Sequence, residues 1–310
     1  MFYPADYNFR PSTVLPMITE IYAKTILNSV KQPDTYFGLK YNLNLYRGCQ
    51  HQCIYCDSRS ECYQIENFTD IQVKVNAVDL LADALPRKRM RGTIGFGSMN
   101  DPYMPVEKQY QLCRRALKVI TQYQFPVHII TKSDLVLRDL DLLQQINLDT
   151  YAAISFTITA ADDALAKQVE PGAPPSSARF EAMRILAEAG IHTGITMMPI
   201  LPFIEDTEEN IIHLVELAHQ NSAAYILPSF GMTLRSGSRD WYYDQLDRRF
   251  PGIKPKYIRQ FGERYECGSP NWRKLNQVFK ELTARYQIPT QMPIFTPEKI
   301  TPKSQQMRLF

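Results

Sequence analysis

Three cysteines in the first fifth of the chain have a spacing that suits metal chemistry. Cys49, Cys53 and Cys56 fall within eight positions, in the segment YRGCQHQCIYC. A four-iron, four-sulfur cluster is normally held by four cysteine thiolates, so three cysteines leave one iron with an open coordination position. An iron of this kind can bind a cofactor or a substrate, whereas a closed structural metal site cannot.

Two further roles for these cysteines stay open on spacing alone. Structural zinc takes four closed ligands, commonly from two paired motifs. His51 or Cys62 could supply a fourth ligand, but the chain contains no second paired motif. Ordinary buried thiols are the remaining alternative, although Arg47, Gln50 and Gln52 make this segment more polar than a core segment.

The composition of the chain limits the classes of protein to which it can belong. Of its 310 residues, 45% are hydrophobic and 22% are charged, which is typical of a globular protein. No apolar run approaches the roughly 20 residues that cross a bilayer. Six cysteines, half of them in one segment, indicate reduced thiols rather than a disulfide framework. We therefore expect a soluble cytoplasmic protein without a membrane partner.

The charge distribution gives little sign of a nucleic-acid partner. The formal net charge is +3, from 35 basic and 32 acidic residues. One basic run, Arg87 to Arg91, could hold phosphates, but a short run of this kind is more often a solvated loop. Because few phosphate contacts are available, strong binding to DNA is not expected.

Short strand-like runs alternate with helix-like segments, and this order predicts a parallel sheet. A full barrel of such units needs eight strands, so six predict an α/β fold with a partial parallel (β/α)6 barrel over residues 41–235. The six runs are YNLNLY (41–46), TIGFGS (93–98), VHIIT (127–131), YAAISFTI (151–158), HTGITMM (192–198) and AAYILP (223–228).

Two further segments flank the predicted barrel. Residues 1–40 are expected to be an N-terminal extension with one helix, in ITEIYAKTILNSV, and residues 236–310 a helical, aromatic region that closes the barrel. In parallel α/β folds the functional groups lie at the carboxyl ends of the strands. The cysteine segment directly follows the first predicted strand, so it is expected at that edge.

The pattern C-x-x-x-C-x-x-C, with an aromatic residue before the last cysteine, resembles that of the radical S-adenosylmethionine (SAM) enzymes. More narrowly, the chain resembles the spore-photoproduct-lyase-like branch of that family. The resemblance extends over roughly residues 20–285 and rests on motifs that occur in order. They are AKTILN, YRGCQHQCIYC, NDPYMPVEK, IITKSDLVLRDLDLL, EPGAPPSSARFEAMRILAEAGI, MMPILP and GSPNW.

The resemblance implies two cofactors and a reaction type. The three cysteines would hold a 4Fe-4S cluster, and its open iron would bind the amino and carboxylate groups of SAM. One electron, from a donor such as flavodoxin or ferredoxin, would then cleave SAM. The 5′-deoxyadenosyl radical produced would abstract hydrogen from a substrate that the sequence does not identify. Because the cofactors perform the difficult chemistry, the protein must bind, orient and exclude water.

The same resemblance assigns SAM contacts to four positions at the predicted strand ends. Tyr55, just before the last cysteine, would pack near the adenine. Asp101, with Asn100 beside it, would receive the amino end of SAM. Lys132 would pair with the SAM carboxylate as a point charge.

Two more contacts and two departures follow from the resemblance to the family. Ser155 would contact the ribose or carboxylate, and Arg179 would help on the same side. The lyase has a cysteine that returns hydrogen to the thymine radical where this chain has Ser98, and an aromatic residue where it has Asp57. A serine O–H is a far poorer hydrogen donor than a thiol. Cys267, in a turn of the C-terminal region, is therefore a candidate hydrogen donor.

Two functions other than radical SAM catalysis compete for the same sequence. One is a non-catalytic iron-sulfur or zinc protein, and the other is a nucleic-acid-repair lyase. The set Asp101, Lys132 and Ser155 favours the enzyme over the first, because a structural metal has no use for a SAM site. Ser98 and the small net charge argue against the second.

Overall fold

The computed structural model describes residues 17–32, 34–65 and 67–300. Short 3-10 helices lie at Asp57–Arg59, Glu61–Tyr63, Leu85–Arg87 and Asp134–Asp139. The strands are β1 Ile18–Ile21, β2 Leu27–Ser29, β3 Leu39–Leu43, β4 Tyr46–Arg47, β5 Ile71–Lys74, β6 Met90–Arg91, β7 Thr93–Phe96, β8 Val127–Thr131, β9 Ala152–Thr157, β10 His192–Met197, β11 Ile226–Pro228, β12 Gly231–Thr233, β13 Glu266–Gly268 and β14 Glu298–Lys299. The α-helices are α1 Ala77–Ala84, α2 Glu107–Tyr110, α3 Leu112–Tyr123, α4 Leu140–Asp149, α5 Asp163–Val169, α6 Ser176–Glu188, α7 Glu208–Gln220, α8 Ser238–Arg249, α9 Ile253–Phe261 and α10 Trp272–Arg285.

Seven strands form the main sheet, in the order β11-β10-β9-β8-β7-β3-β2. The six strands from β3 to β11 in this sheet pair in parallel, and β2 pairs antiparallel with β3. Each of the six predicted strands is present, so the partial parallel barrel is confirmed. All six residues of β9 are buried, as expected for a strand with both faces covered.

The helices between the strands cover the sheet through apolar stripes. In α3 the residues Leu112, Cys113, Ala116, Leu117 and Ile120 are all buried, as their helical spacing predicts. The segment before them departs from a single continuous helix. Gln111 has φ +50°, which ends α2 and separates it from α3.

The predicted helix at the N-terminus is wrong. Within ITEIYAKTILNSV the structure forms β1, which pairs in parallel with β5, and β2, which extends the main sheet. The segment is rich in Ile and Thr, which suit strands better than helices. Residues 1–16 lie outside the described part of the chain, so the proposed extension is described only from Met17.

The C-terminal residues pack on the last units of the sheet. Helix α10 packs against α7, and β13 pairs antiparallel with β12 to form a two-stranded ribbon. The division into three segments at residues 40 and 235 stays a prediction. No helix in the described residues is long and apolar enough to cross a membrane.

Candidate active site

A cavity of about 670 Å³ opens at the carboxyl ends of the parallel strands. Loops after five of these strands contribute to it, together with the end of β9 and the ribbon formed by β12 and β13. Among its lining residues are Cys49, His51, Cys53, Tyr55, Cys56, Gly97, Ser98, Asn100, Asp101, Thr131, Lys132, Thr157, Met198, Phe230, Gly231, Thr233, Glu266 and Gly268. The edge that the sequence predicted to be functional is therefore the edge that holds the cavity.

The cysteine loop, residues 48–56, is held by backbone hydrogen bonds. Gly48 has φ +77°, and a Cβ there would lie 2.3 Å from the carbonyl oxygen of Asp70, so only glycine fits this turn. Cys49 N donates to Phe68 O at 3.3 Å, and Gln52 Nε2 donates to Cys49 O at 2.6 Å. The loop therefore has a defined path before any cofactor is considered.

All three thiols of this loop face the same cavity. Cys49 and Cys53 are buried and Cys56 is half-buried. Burial raises the pKa of Cys49 to about 12 and also raises the pKa values of Cys53 and Cys56, against an opposing effect of Lys132 on the latter two. Bound metal supplies the positive charge that buried thiolates need. The donor set thus fits an iron-sulfur cluster, which three thiolates can hold.

The zinc alternative depends on the ligand groups that the described residues offer. Among residues 17–32, 34–65 and 67–300, no group of three His, Cys, Asp or Glu side chains is arranged to hold one metal ion. Cys62, a candidate fourth ligand, is exposed and does not line the cavity. Its Sγ lies 3.6 Å from Arg235 Nη1.

Asp101 is held in place by groups from the cysteine loop and from β8. Its Oδ1 accepts hydrogen bonds from Thr131 Oγ1 at 2.7 Å and Tyr103 N at 2.9 Å, and its Oδ2 accepts from Lys132 N at 2.6 Å. His51 Nδ1 lies 3.3 Å from Oδ2. Burial by itself raises the pKa of Asp101, but His51 and the Lys132 groups lower it to about 2. The carboxylate is therefore ionised at neutral pH.

The neighbouring Asn100 serves the cysteine loop as well as the cavity. Its Nδ2 donates to Tyr46 O at 2.6 Å, so the end of β7 is tied to β4, just before the loop. Asn100 is buried and lines the cavity beside Asp101. The predicted pair is therefore brought to one place.

Lys132 presents its ammonium group to the cavity near Tyr55. Its Nζ lies 5.7 Å from the centre of the Tyr55 ring and 4.0 Å from Glu170 Oε1. Burial lowers the pKa of Lys132, but Cys53 and Glu170 raise it above its ordinary value, so the group stays charged. Among the described cavity-lining residues, Lys132 is the one Lys or Arg side chain.

The structure does not bring Ser155 or Arg179 to the cavity lining. Ser155 Oγ hydrogen-bonds to His128 Nε2 and Tyr225 Oη, each at 2.8 Å, in the interior of the barrel. Arg179 is fully buried rather than on the helix surface, and its guanidinium donates to Thr157 O at 2.8 Å. Their roles as SAM contacts stay predictions.

Comparison with known proteins shows the family. The model of the radical SAM superfamily matches residues 43–218, more than half of the chain. The chain belongs to the radical SAM superfamily. Its cofactors are therefore a 4Fe-4S cluster and SAM, as the resemblance implied.

Several relatives of this radical SAM protein share much of its length. An uncharacterized protein of Mycobacterium tuberculosis (strain ATCC 25618 / H37Rv) is 29% identical, over 87% of this chain and 81% of its own. An uncharacterized protein of Methanocaldococcus jannaschii is 36% identical over 62% of this chain and 70% of its own. A radical SAM Nalpha-GlyT isomerase of Pseudomonas phage M6 is 23% identical over 54% and 34%.

Solved structures with the same fold include spore photoproduct lyase. A mutant of that enzyme with bound AdoMet and dinucleoside spore photoproduct superposes with a TM-score of 0.66 at 16% identity, over 87% of this chain and 79% of its own. The tryptophan-bound methyltransferase TsrM from Kitasatospora setae gives 0.52 at 13% identity, over 82% and 55%. At these identities the likeness shows the fold alone.

Cys267, the candidate hydrogen donor of this radical SAM protein, lies behind the cavity. On the ribbon, Thr233 pairs with Glu266 and Gly231 with Gly268, and these four residues line the cavity. Cys267 lies between them, is fully buried, and belongs to an apolar cluster with Tyr242 and Tyr257. Its Sγ lies 3.8 Å from Arg264 O. Its role as a hydrogen donor stays a prediction.

Sequence reasoning missed two residues at this site. Glu170 is buried beside Lys132, although it lies in the motif that begins EPG. Thr157 lines the cavity two residues after Ser155 on the same strand. Since side chains on a strand alternate with a period of two, the position of Ser155 contained the signal for Thr157.

Proposed function

We propose that this radical SAM enzyme cleaves SAM reductively and uses the resulting radical to abstract hydrogen from a substrate at the cavity mouth. The cluster would supply one electron, and breakage of the bond between sulfur and C5′ would give methionine and a 5′-deoxyadenosyl radical. The observation that carries the proposal is that three cysteines, Asp101 and Lys132 line one cavity. A structural metal site would have no need for the last two.

The chain's own residues would bind and orient SAM. Lys132, a charged group aimed into the cavity, suits the SAM carboxylate. Asp101 is ionised and buried, and suits the positively charged amino end. Tyr55 offers an aromatic face beside Lys132, which suits the adenine. Contacts of this kind would hold C5′ of SAM in position for hydrogen abstraction before the bond to sulfur breaks.

The lining of the cavity also includes apolar side chains and glycine backbone. Met99, Met198 and Phe230 lie there with the ribbon glycines Gly231 and Gly268. These residues would exclude water from the radical and hold the substrate against the ribbon. We propose that the substrate enters from this side and that its hydrogen is removed there.

The dimer-cleaving reaction of spore photoproduct lyase is not the reaction we propose. Ser98 lies in the cavity, where its Oγ accepts a hydrogen bond from Asn42 Nδ2 at 2.9 Å and lies 3.1 Å from Asn44 Oδ1. A hydroxyl in this position cannot replace the thiol that returns hydrogen in the lyase. We further propose that the enzyme works in the cytoplasm and receives its electron from a flavodoxin or ferredoxin, in keeping with six free cysteines.

The test is anaerobic reconstitution followed by reduction in the presence of SAM. The parent should bind about four irons per chain, as a single four-iron cluster requires. It should also convert SAM to 5′-deoxyadenosine, and its reduced electron paramagnetic resonance spectrum should shift when SAM is added. Replacement of Cys49, Cys53 or Cys56 with Ala should abolish all three signals, whereas the control C62A should retain them. Tetrahedral zinc in anaerobically isolated protein would contradict the proposal.

A further inference from the structure

The buried carboxylate of Glu170 is the centre of a side-chain network behind the proposed SAM pocket. Its Oε2 lies 2.5 Å from Arg179 Nη1. Its Oε1 accepts a hydrogen bond from the Tyr55 hydroxyl and lies 4.0 Å from Lys132 Nζ. Tyr55 and Lys132 line the cavity, whereas Glu170 and Arg179 do not. Glu170 therefore joins two proposed SAM contacts from the side that faces the protein interior.

The residues next to Glu170 hold the cysteine loop by its backbone. Ile54 N donates to Val169 O at 2.9 Å, and Gly172 N donates to His51 O at 2.8 Å. These two bonds lie on either side of Glu170 in sequence and on either side of Cys53 in the loop. Residues 169–172 therefore contact the cysteine loop in two ways. Their main chain hydrogen-bonds to the loop backbone, and the Glu170 carboxylate hydrogen-bonds to the Tyr55 hydroxyl.

An ionised Glu170 offsets one of the two positive charges of this network, those of Arg179 and Lys132. Burial by itself raises the pKa of Glu170, but Arg179 and Lys132 lower it below its ordinary value. The Arg179 guanidinium is fully buried and its other donors reach backbone carbonyls of Pro174 and Thr157. A buried cation without its carboxylate partner is strongly unfavourable, so Glu170 fixes the arrangement of both cations.

We propose that Glu170 is a positioning residue that sets the orientation of the Lys132 ammonium and the Tyr55 ring for SAM binding. This inference rests on the proposed function, since it concerns how the same pocket holds SAM. Residues behind the direct ligands of metal sites typically orient those ligands, and their loss lowers affinity or activity by about 10- to 100-fold. We expect a loss of this size in SAM affinity when Glu170 is neutralised, with the iron content retained.

The chain contains a closely matched control in Glu107. Glu107 is fully buried, accepts a hydrogen bond from the Tyr46 hydroxyl, and lies 2.6 Å from Arg138 Nη2. It therefore has the same Tyr, Glu and Arg arrangement as Glu170. It does not line the cavity. The variant E107Q therefore shows how much stability is lost when a buried glutamate is neutralised outside the SAM pocket.

The experiment compares the parent, E170Q and E107Q after anaerobic reconstitution. Equilibrium dialysis gives the dissociation constant for SAM, and electron paramagnetic resonance gives the shift of the reduced spectrum on SAM addition. Thermal unfolding of the metal-free proteins reports on stability alone. We expect both variants to lose stability, but only E170Q to bind SAM about 10- to 100-fold more weakly and to lose most of the spectral shift.

An unchanged or higher SAM affinity in E170Q, or an equal loss in E107Q, would overturn the inference. If E170Q does not fold, Y55F and Y46F decide the question, because each removes only the hydroxyl that donates to one of the two glutamates. Y55F should weaken SAM binding and Y46F should not, and equal affinities would overturn the inference. The parent's iron content and SAM cleavage in the same experiment report on the proposed function separately.

Discussion

Lys132 is the residue whose charge the proposed SAM carboxylate would use. Replacement with Met should leave the iron content unchanged and weaken SAM binding by about 1.5 to 3 kcal/mol, the value of a hydrogen bond to a charged group. Equilibrium dialysis of the reconstituted protein measures this change. Lys74 is a suitable control because its Nζ donates to Asn44 O at 2.6 Å and lies outside the cavity lining. Equal SAM affinity in K132M and the parent would show that another group holds the carboxylate.

Glu205 gives a prediction about pH and stability. The carboxyl is fully buried, with Oε1 accepting from Thr159 Oγ1 at 2.7 Å and Oε2 from Leu201 N at 2.9 Å. Burial raises the pKa of Glu205 to about 8. Between the unfolded value of about 4.3 and this value the native state holds a proton that the unfolded state has lost. Stability should therefore fall as pH rises through this window.

Urea unfolding of the parent and of E205Q at pH 5 and pH 8 tests this expectation. The amide at position 205 in E205Q cannot ionise. The free energy of unfolding of this variant therefore lacks the pH dependence that the Glu205 carboxyl contributes. The parent should lose stability relative to E205Q by up to about 1.4 kcal/mol per pH unit. Parallel pH profiles for the two proteins would contradict the raised pKa.

The cysteine loop packs against the segment after α5, and this contact requires a glycine at position 172. A Cβ on Gly172 would lie 2.1 Å from Gln50 O and 2.9 Å from His51 Cα, both main-chain atoms that cannot move without the loop. G172A should therefore lower stability by about 1 to 3 kcal/mol, as overpacking does. It should also reduce the iron content after reconstitution, measured by metal analysis.

Gly268 provides the control for this substitution. A Cβ there meets no atom within 4 Å, and no positive φ is required. G268A should keep the parent's stability and iron content. Equal iron content in G172A and the parent would mean that the loop adjusts to the added methyl group, and that its path is less constrained than the contact indicates.

The fold as a whole separates the basic run from the cavity. Arg87 to Arg91 precede β7, at the amino ends of the parallel strands, whereas the cavity lies at the carboxyl ends. Part of the run is already engaged, since Lys88 Nζ lies 4.9 Å from the Tyr41 ring centre and Arg91 Nη1 lies 3.6 Å from Glu298 Oε2. The basic run and the proposed site therefore lie at opposite edges of the sheet.

We therefore expect weak, sequence-independent binding to duplex DNA at physiological salt. Few phosphates can be neutralised, so the dependence of affinity on salt should be shallow. Fluorescence anisotropy with a labelled duplex over a range of salt concentrations measures both quantities. Tight binding with a steep salt dependence would favour the nucleic-acid-repair alternative instead, if it is lost when Arg87, Lys88, Arg89 and Arg91 are neutralised.

Features that depend on local pattern could be predicted from the amino-acid sequence. Short strand-like runs that alternate with helix-like segments predicted all six parallel strands, and helical spacing predicted the buried stripe of α3. The spacing of Cys49, Cys53 and Cys56 predicted that their thiols lie together, as they do in the cavity lining, because residues close in sequence need little help from the rest of the chain. The order of the motifs along the chain identified the radical SAM family.

Features that depend on partners distant in sequence required the folded chain. Residues 18–21 and 27–29 form strands rather than a helix because β5 and β3 offer them hydrogen bonds. Cys267 lies in an apolar cluster with Tyr242 and Tyr257, which are distant from it in sequence. Glu170 lies 115 residues from Tyr55 in sequence, yet their side chains are hydrogen-bonded. No local pattern encodes such contacts, since they exist only after the chain has folded.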